Sequence, residues 1–294
     1  MKGIDISHWN GVVNWQEIKL DQDFVFMKIS QRTTTDSRFA QYYADAVSHG
    51  FTNLGGYIYN KVKTVEEAKV EARHAVTALN GKTLPFGVML DMEDASMKKL
   101  GKNTLTKIID AEAEILEAAG FNVGIYCNLD WYKNVLDSAK LSSCYVFWIA
   151  RYPANDNGTI KESLSPLGLA GCAIWQYSSK GRVDGISGNV DLNIADDDIK
   201  KILDRGWVAR PKCPFTMPTY TLYRFRPGMK ADHISWMQWH LNRIGYYNGN
   251  IDGKFGPLTN AALGLFQREA FGKADFKCGP ATRKALLDSM SPFD

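Results

Sequence analysis

Asp91 and Glu93 stand two apart at the end of an apolar run, Phe86-Gly87-Val88-Met89-Leu90. The run is too short for a helix and reads as a buried parallel strand whose tip opens onto a site. Alternation along a strand puts Asp91 and Glu93 on one face and Asp94 on the other. Carboxyls about 6–7 Å apart on one strand face disturb each other's ionisation. One can then keep its proton near neutral pH while its neighbour stays charged, and acid-catalysed glycosidic cleavage needs that division. Seen alone, the pair reads more readily as a solvated acidic turn after a strand, and less readily as a divalent-metal site. What separates these readings is whether other acids, such as Asp5 and Asp191, end neighbouring strands.

The elements that would bring them together alternate in type. Strands are expected over residues 2–7, 24–30, 54–59, 86–91 and 123–127, then in the apolar runs 145–150, 172–177 and 189–192. Helices are expected over 37–49, 65–79 and 104–119, and a helix-like segment over 131–136. Thr64 caps the second helix, Glu66 and Glu67 suit its first turn, and Gly81 follows it. Strand and helix alternating over some 200 residues predict an α/β fold, a parallel (β/α) TIM-like barrel of seven or eight strands. After Ala150 the helical pattern fades, and the Gly-rich stretch 183–192 reads as a hairpin or loop, so the final third is expected to be irregular. Polar residues gather after strand ends at Asp5, Tyr59, Asp91, Glu93, Tyr126, Asn128, Arg151, Gln176 and Asp191, where such barrels keep their reactive groups.

Pro211, Pro214 and Pro218 mark a change of composition and an extended linker over 207–222. The remainder, 223–294, contains an internal echo. Gly256-Pro257-Leu258-Thr259 and Gly279-Pro280-Ala281-Thr282 each place proline at the first turn of a helix. With a further helix over 233–244, this predicts a small all-α three-helix domain. It offers no nucleophile–base pair, so binding is expected of it rather than catalysis.

Composition narrows the function classes. A net charge of +3 over 294 residues argues against strong nucleic-acid binding. No apolar run approaches the ~20 residues of a membrane span, so no membrane partner is expected. The N-terminus shows no Sec-type signal, which predicts cytoplasmic synthesis with release by a holin or another route. The five cysteines have no metal-ligand spacing, and His8 and His49 lack a second histidine at such spacing, so neither metal nor cofactor is expected. Whether Cys213 and Cys278 pair stays open.

Several stretches carry a family likeness. In order they are Asp5-Ile6-Ser7-His8-Trp9-Asn10-Gly11, Gly55-Gly56-Tyr57-Ile58-Tyr59, Asp91-Met92-Glu93, Gly124-Ile125-Tyr126, Trp148-Ile149-Ala150-Arg151-Tyr152, Trp175-Gln176-Tyr177 and Val190-Asp191-Leu192-Asn193. Together they resemble the family 25 glycoside hydrolases, the Chalaropsis-type muramidases, over roughly residues 1–205. The C-terminal unit resembles peptidoglycan-binding domains of type 1 through Leu241-Asn242-Arg243-Ile244-Gly245-Tyr246-Tyr247, Asp252-Gly253-Lys254-Phe255-Gly256-Pro257 and Phe266-Gln267. It departs from them at Met229-Lys230-Ala231-Asp232 and at Asp275-Phe276, where the first copy has Asp252-Gly253.

The resemblance implies a catalytic barrel over 1–206 that hydrolyses β-1,4 bonds between N-acetylmuramic acid and N-acetylglucosamine, as in an endolysin or autolysin. Peptidoglycan is then the partner, and no obligate protein partner is expected. Glu93 would be the general acid, Asp91 a charged neighbour, and Asp5 and Asp191 would complete an acidic cup. Tyr57, Tyr59, Tyr126, Trp148, Arg151, Trp175 and Gln176 would bind substrate. Attack by the substrate's own acetamido group and attack by a protein carboxylate both remain open, the former favoured. A non-catalytic wall-binding protein and a chitin-directed hydrolase are the competing readings.

Overall fold

The computed structural model describes residues 1–196, Ile199 and 213–288. The chain divides into two compact units, Met1–Ala209 and Arg210–Asp294.

In the first unit eight strands close a barrel: β1 (Lys2–Ile6), β2 (Phe24–Gln31), β4 (Leu54–Tyr59), β5 (Val88–Asp91), β6 (Val123–Asn128), β7 (Val146–Ala150), β8 (Cys172–Gly181) and β9 (Val190–Ala195). A two-residue β3 (Thr34–Thr35) folds back on β2. Neighbours from β1 to β8 run parallel. The parallel order stops at β9, which is antiparallel to both β8 and β1, in line with the hairpin reading of 183–192. The reason is length. Only residues 182–189 join β8 to β9, too few for a helical crossover, and the chain can return only as a hairpin. Gly185 and Gly188, both at φ 93°, make that turn.

Helices α1 (Trp15–Asp21), α2 (Phe39–Ser48), α3 (Val65–Ala78), α4 (Lys102–Ala118) and the single turn α5 (Ser138–Leu141) follow successive strands. Thr64 Oγ1 accepts from Glu67 N–H at the start of α3, as its sequence predicts. The helix-like 131–136 is a π-turn over Trp131–Val135. Beyond β7 only a 3₁₀ turn, Glu162–Leu164, remains before β8, which is the expected irregular final third. α1 was not legible: seven residues are too few for a helical period, and its mark is Asn14, whose side chain accepts from Gln16 N–H.

Strand alternation sorts the barrel wall into two faces. Val25, Met27, Leu90, Ile125, Phe147 and Ile149 point out and pack beneath the helices. Phe24, Phe26, Phe86, Met89 and Trp148 point in and fill the lower lumen. Gly3 and Gly55 leave room for this: a Cβ at either would come within 2.3 Å of the Phe24 or Phe26 ring. The lumen is therefore packed shut below, and the inward positions one or two steps further along each strand carry the polar groups. Among the described residues no helix is long and apolar enough to cross a membrane.

The second unit holds helices Ala231–Arg243, Pro257–Phe271 and Pro280–Asp288, plus a two-residue ladder between Leu222–Tyr223 and Lys277–Cys278. Residues 207–212 of the expected linker lie outside the described residues. The rest of it contributes Cys213, Phe215 and Tyr220 to the packing of this helical core. None of the five cysteines is in a disulfide, so Cys213 and Cys278 are not bridged.

The internal echo is deeper than its sequence shows. Gln238 Nε2 donates to Asp252 Oδ1, Lys254 O and Thr259 Oγ1, while its Oε1 accepts from Asp252 and Gly253 N–H. Gln267 repeats this with Asp275 Oδ1, Lys277 O, Thr282 Oγ1 and the N–H of Phe276. Phe276 occupies the place of Gly253 and takes its left-handed backbone, φ 58° against 69°. The departure from Asp-Gly is thus absorbed as backbone strain, and the buried glutamine hub survives.

Candidate active site

Asp5 sits next to last on β1 and lies directly opposite Asp191 in the antiparallel register with β9. Asp91 ends β5, beside Tyr59 of β4 and Tyr126 of β6. Glu93 lies two residues on and interacts with both Asp91 and Asp5. Asp191 in turn interacts with Asp5 and Glu93. Four acids from three separate stretches of sequence therefore share one mouth, at the carboxyl ends of β1 and β5 and at the amino end of the antiparallel β9.

Burial dominates their chemistry. Asp5 and Asp91 are each only 5% exposed. Burial pushes Asp5 up to about 6, partly offset by hydrogen bonds from Asn193 and Gln176. Asp191 is pushed to about 8 by burial and then by the Asp5 charge. Glu93 is raised by burial, then by Asp5 and Asp94. Asp91 is raised well above the carboxylate range by burial and Glu93, with Lys28 opposing. The expectation of a charged Asp91 beside a neutral Glu93 thus needs correction for the free site. Both are raised, and Asp91 has the deeper burial. Asp91 Oδ1 is also buried without a protein partner, which marks it as a group that meets something else.

Around the acids stand the aromatics. Tyr57 faces the lumen, its phenol pushed well up by burial and by Asp5, Asp91 and Asp191. Tyr59 donates to Asp94 Oδ2 at 3.3 Å, and the same carboxylate accepts Lys61 Nζ at 3.3 Å. Tyr126 donates to Gln176 Oε1 at 2.7 Å, and Gln176 Nε2 donates to Asp5 Oδ2 at 2.8 Å. These four expected site residues line the mouth.

The other three do not reach it as free contacts. Trp148 is 1% exposed and wedged in the lumen against Phe26 and Tyr126, so it has no face to offer a sugar. Trp175, also 1% exposed, alternates to the outside of the wall and donates to the Arg151 carbonyl. The Arg151 guanidinium is tied to Leu164 O at 3.0 Å, bracing the loop beyond β7. Sequence reasoning went astray here because a Trp in an apolar strand looks the same whether it lines a cleft or plugs it.

Three residues of the site were missed. Tyr152 donates to Gln176 Oε1, and Asn193 Nδ2 donates to Asp5 Oδ2 at 2.9 Å. Counting strand alternation onward from Trp148 and from Asp191 would have found both. Trp9 is 83% exposed on a 3₁₀ turn, His8–Asn10, directly after β1. That turn is held rigidly by a Ser7–Asn10 capping box, by Asn10 to Asn189 O, and by the Tyr42 hydroxyl on Ser7 O and Gly11 O. Among the described residues no three His, Cys, Asp or Glu side chains are placed to hold a metal ion.

Comparison with known proteins agrees with this geometry. Residues 4–186 match the glycosyl hydrolases family 25, and residues 230–286 match a putative peptidoglycan binding domain. The chain is 28% identical over 270 residues to the autolytic lysozyme of Clostridium acetobutylicum, spanning 91% of this chain and 72% of that protein. It is 27% identical over 203 residues to lysozyme M1 of Streptomyces globisporus, 66% of this chain and 67% of that one. The catalytic domain of an endolysin from a Listeria monocytogenes bacteriophage superposes with a TM-score of 0.58 at 28% identity, covering 69% of this chain and 96% of that domain. A closed eight-stranded barrel with its acids gathered at one mouth, in a chain matched over more than half its length, belongs to the glycosyl hydrolases of family 25.

Proposed function

We propose that this chain is an N-acetylmuramidase in which Glu93 is the general acid and the substrate's acetamido group is the nucleophile. The family is one of glycoside hydrolases, and lysozymes of this family degrade bacterial peptidoglycan. What supports the residue roles is the convergence of Asp5, Asp91, Glu93 and Asp191 in a mouth poor in solvent. Glu93, raised by burial and by its acidic neighbours, keeps its proton until a glycosidic oxygen arrives. It gives that proton to the bridging oxygen as the C1–O bond breaks. The acetamido oxygen then bonds to C1, and the Glu93 carboxylate draws a proton from the water that reopens the ring. Asp91, whose Oδ1 lacks a protein partner, releases its proton to solvent as the substrate binds and then, as a carboxylate, accepts the acetamido N–H and offsets the positive charge that develops at C1. Digesting purified walls and identifying the new reducing ends tests this: N-acetylmuramic acid supports it, and N-acetylglucosamine ends or none overturn it.

Trp9 fits a platform for a sugar further along the glycan, because a rigid turn holds its ring out in solvent beside the mouth. Trp9→Ala is expected to raise KM for soluble glycan fragments roughly tenfold, or ~1.4 kcal/mol, with kcat held. Trp9→Phe should recover most of the loss. An unchanged KM for Trp9→Ala rejects the platform.

The C-terminal unit is a wall anchor in this reading. Tethering raises the local concentration of the barrel at its substrate. A chain ending at Ala209 should cut soluble fragments at the full rate yet sediment less with whole walls. Equal sedimentation refutes the anchor.

A further inference from the structure

Two side-chain amides close on one oxygen of Asp5: Gln176 Nε2 at 2.8 Å and Asn193 Nδ2 at 2.9 Å, both to Oδ2. An amide can turn over and present its oxygen instead, so each needs something to hold it in this sense. For Asn193 that is Trp148, whose indole N–H donates to Asn193 Oδ1 at 2.8 Å. An indole nitrogen can only donate, so this single bond fixes the amide and turns Nδ2 toward Asp5. For Gln176 it is a pair of phenols, Tyr126 and Tyr152, both donating to Oε1. Trp148, Gln176 and Asn193 are each at most 2% exposed, so solvent does not compete for these bonds.

Oδ2 of Asp5 accepts two N–H groups and has no room for a proton. Asp191 lies directly across the ladder from Asp5, and each carboxyl acts on the other's ionisation. Two carboxyls so placed share a proton rather than both ionising. We propose that Trp148 and Asn193, with Gln176, are positioning residues that confine the proton of the Asp5–Asp191 pair to Asp5 Oδ1 and Asp191. A tryptophan that reads as packing thereby sets the ionisation of a carboxyl it does not touch. The groups facing Asp5 are Asp191 from β9, Asp91 and Glu93 from β5 and its exit, Tyr57 from β4, Tyr126 from β6 and Tyr152 beyond β7. None is a cation; Lys28 of β2 acts on Asp91. The amide N–H groups of Asn193 and Gln176, with Asp191 after them, are thus what holds Asp5 down.

The test is a carboxyl titration by ¹³C NMR on the full chain labelled at aspartate, alongside the pH dependence of kcat/KM on soluble wall fragments. Trp148→Phe frees the Asn193 amide to turn. The Asp5–Asp191 pair should then titrate about one pH unit higher, roughly what a hydrogen bond to a charged acceptor contributes. Asn193→Asp keeps the shape and the bond from Trp148 but replaces the N–H donor with a carboxyl, so it should shift the pair further in the same direction. Phe26→Leu loosens the stack on Trp148, 4.6 Å between ring centres, with the indole N–H intact, and should titrate like the wild type. Should Trp148→Phe not fold, Asn193→Leu decides alone, because it removes the N–H without adding a charge and should still raise the pair by about one pH unit, wild-type titration overturning the relay. Wild-type titration in both variants overturns the relay, as does a Phe26→Leu shift as large as that of Trp148→Phe. The kinetic arm rests on the muramidase reading; the NMR arm does not. A wild type that releases no muramyl ends therefore rejects that reading while the titration still decides the relay.

Discussion

Replacing Glu93 with Gln should cut the release of muramyl reducing ends from walls by roughly 10²–10⁴-fold, the range a positioned general acid contributes. The amide has the size of the acid but no proton to give to a leaving oxygen. Folding should not suffer. Glu93 holds its proton in the free site, so the glutamine exchanges one neutral group of the same size for another and takes no charge partner from the fold. The variant should therefore melt no lower than the wild type near neutral pH and still sediment with walls. That combination separates loss of chemistry from loss of structure. Retained lysis would remove Glu93 from the reaction and with it the assignment of every acid around it. Lost lysis with a collapsed melting point would leave its role structural.

How much of this was legible before the fold was known depends on what each residue does. Asp91 and Glu93 could be read because strand parity is a local rule, and parity also carried Tyr57 and Tyr59 to the same face of β4. Asp5 and Asp191 could be suspected from their places in short apolar runs, but their pairing across β1 and β9 could not. That ladder is antiparallel: the Gly-rich stretch 183–192 reads as a hairpin or loop, but nothing local says that the strand after it closes onto β1. Trp148, Trp175 and Arg151 were misplaced for a related reason. The sequence marks them as belonging to strand ends, whereas their roles depend on depth along the barrel axis, which a strand read alone does not reveal. Asn193 and Tyr152 were missed because they act on other side chains and have no reactive type of their own. In the C-terminal unit the Gly-Pro-x-Thr echo located two helix starts. The glutamines that tie each start to the preceding helix sit at unequal distances: Gln238 reaches 14 residues on to Asp252, and Gln267 only eight on to Asp275. No fixed period connects them.

Asp191→Asn should stabilise the barrel at alkaline pH while disabling it. Asp191 titrates near 3.8 when exposed and at about 8 in the folded mouth, because burial and Asp5 disfavour its charge. The sign follows from proton counting. Below about pH 4 the carboxyl is protonated in both states and contributes nothing. Between that point and its folded value, the fold holds a proton that the unfolded chain has released. Stability therefore falls as pH rises through this window, and the full penalty remains above it. Asp5, moved from 3.8 to about 6, adds a smaller loss of the same sign over a narrower window. One unit of displacement corresponds to about 1.36 kcal/mol, and sharing a proton with Asp5 reduces the sum for the pair, which leaves a few kcal/mol for Asp191. At about 2–4 °C per kcal/mol for a domain of this size, Asp191→Asn should raise Tm by several degrees at about pH 9 and by almost nothing at about pH 4. Catalysis should fall at both, since the asparagine cannot take part in a shared proton with Asp5. Scanning calorimetry of both proteins at the two pH values checks this. A gain independent of pH would mean that the asparagine merely packs better, and no gain at high pH would mean that the mouth is wet enough to solvate its charges. The expected outcome makes the acidic mouth a store of unfavourable charge, held for the reaction at the expense of the fold.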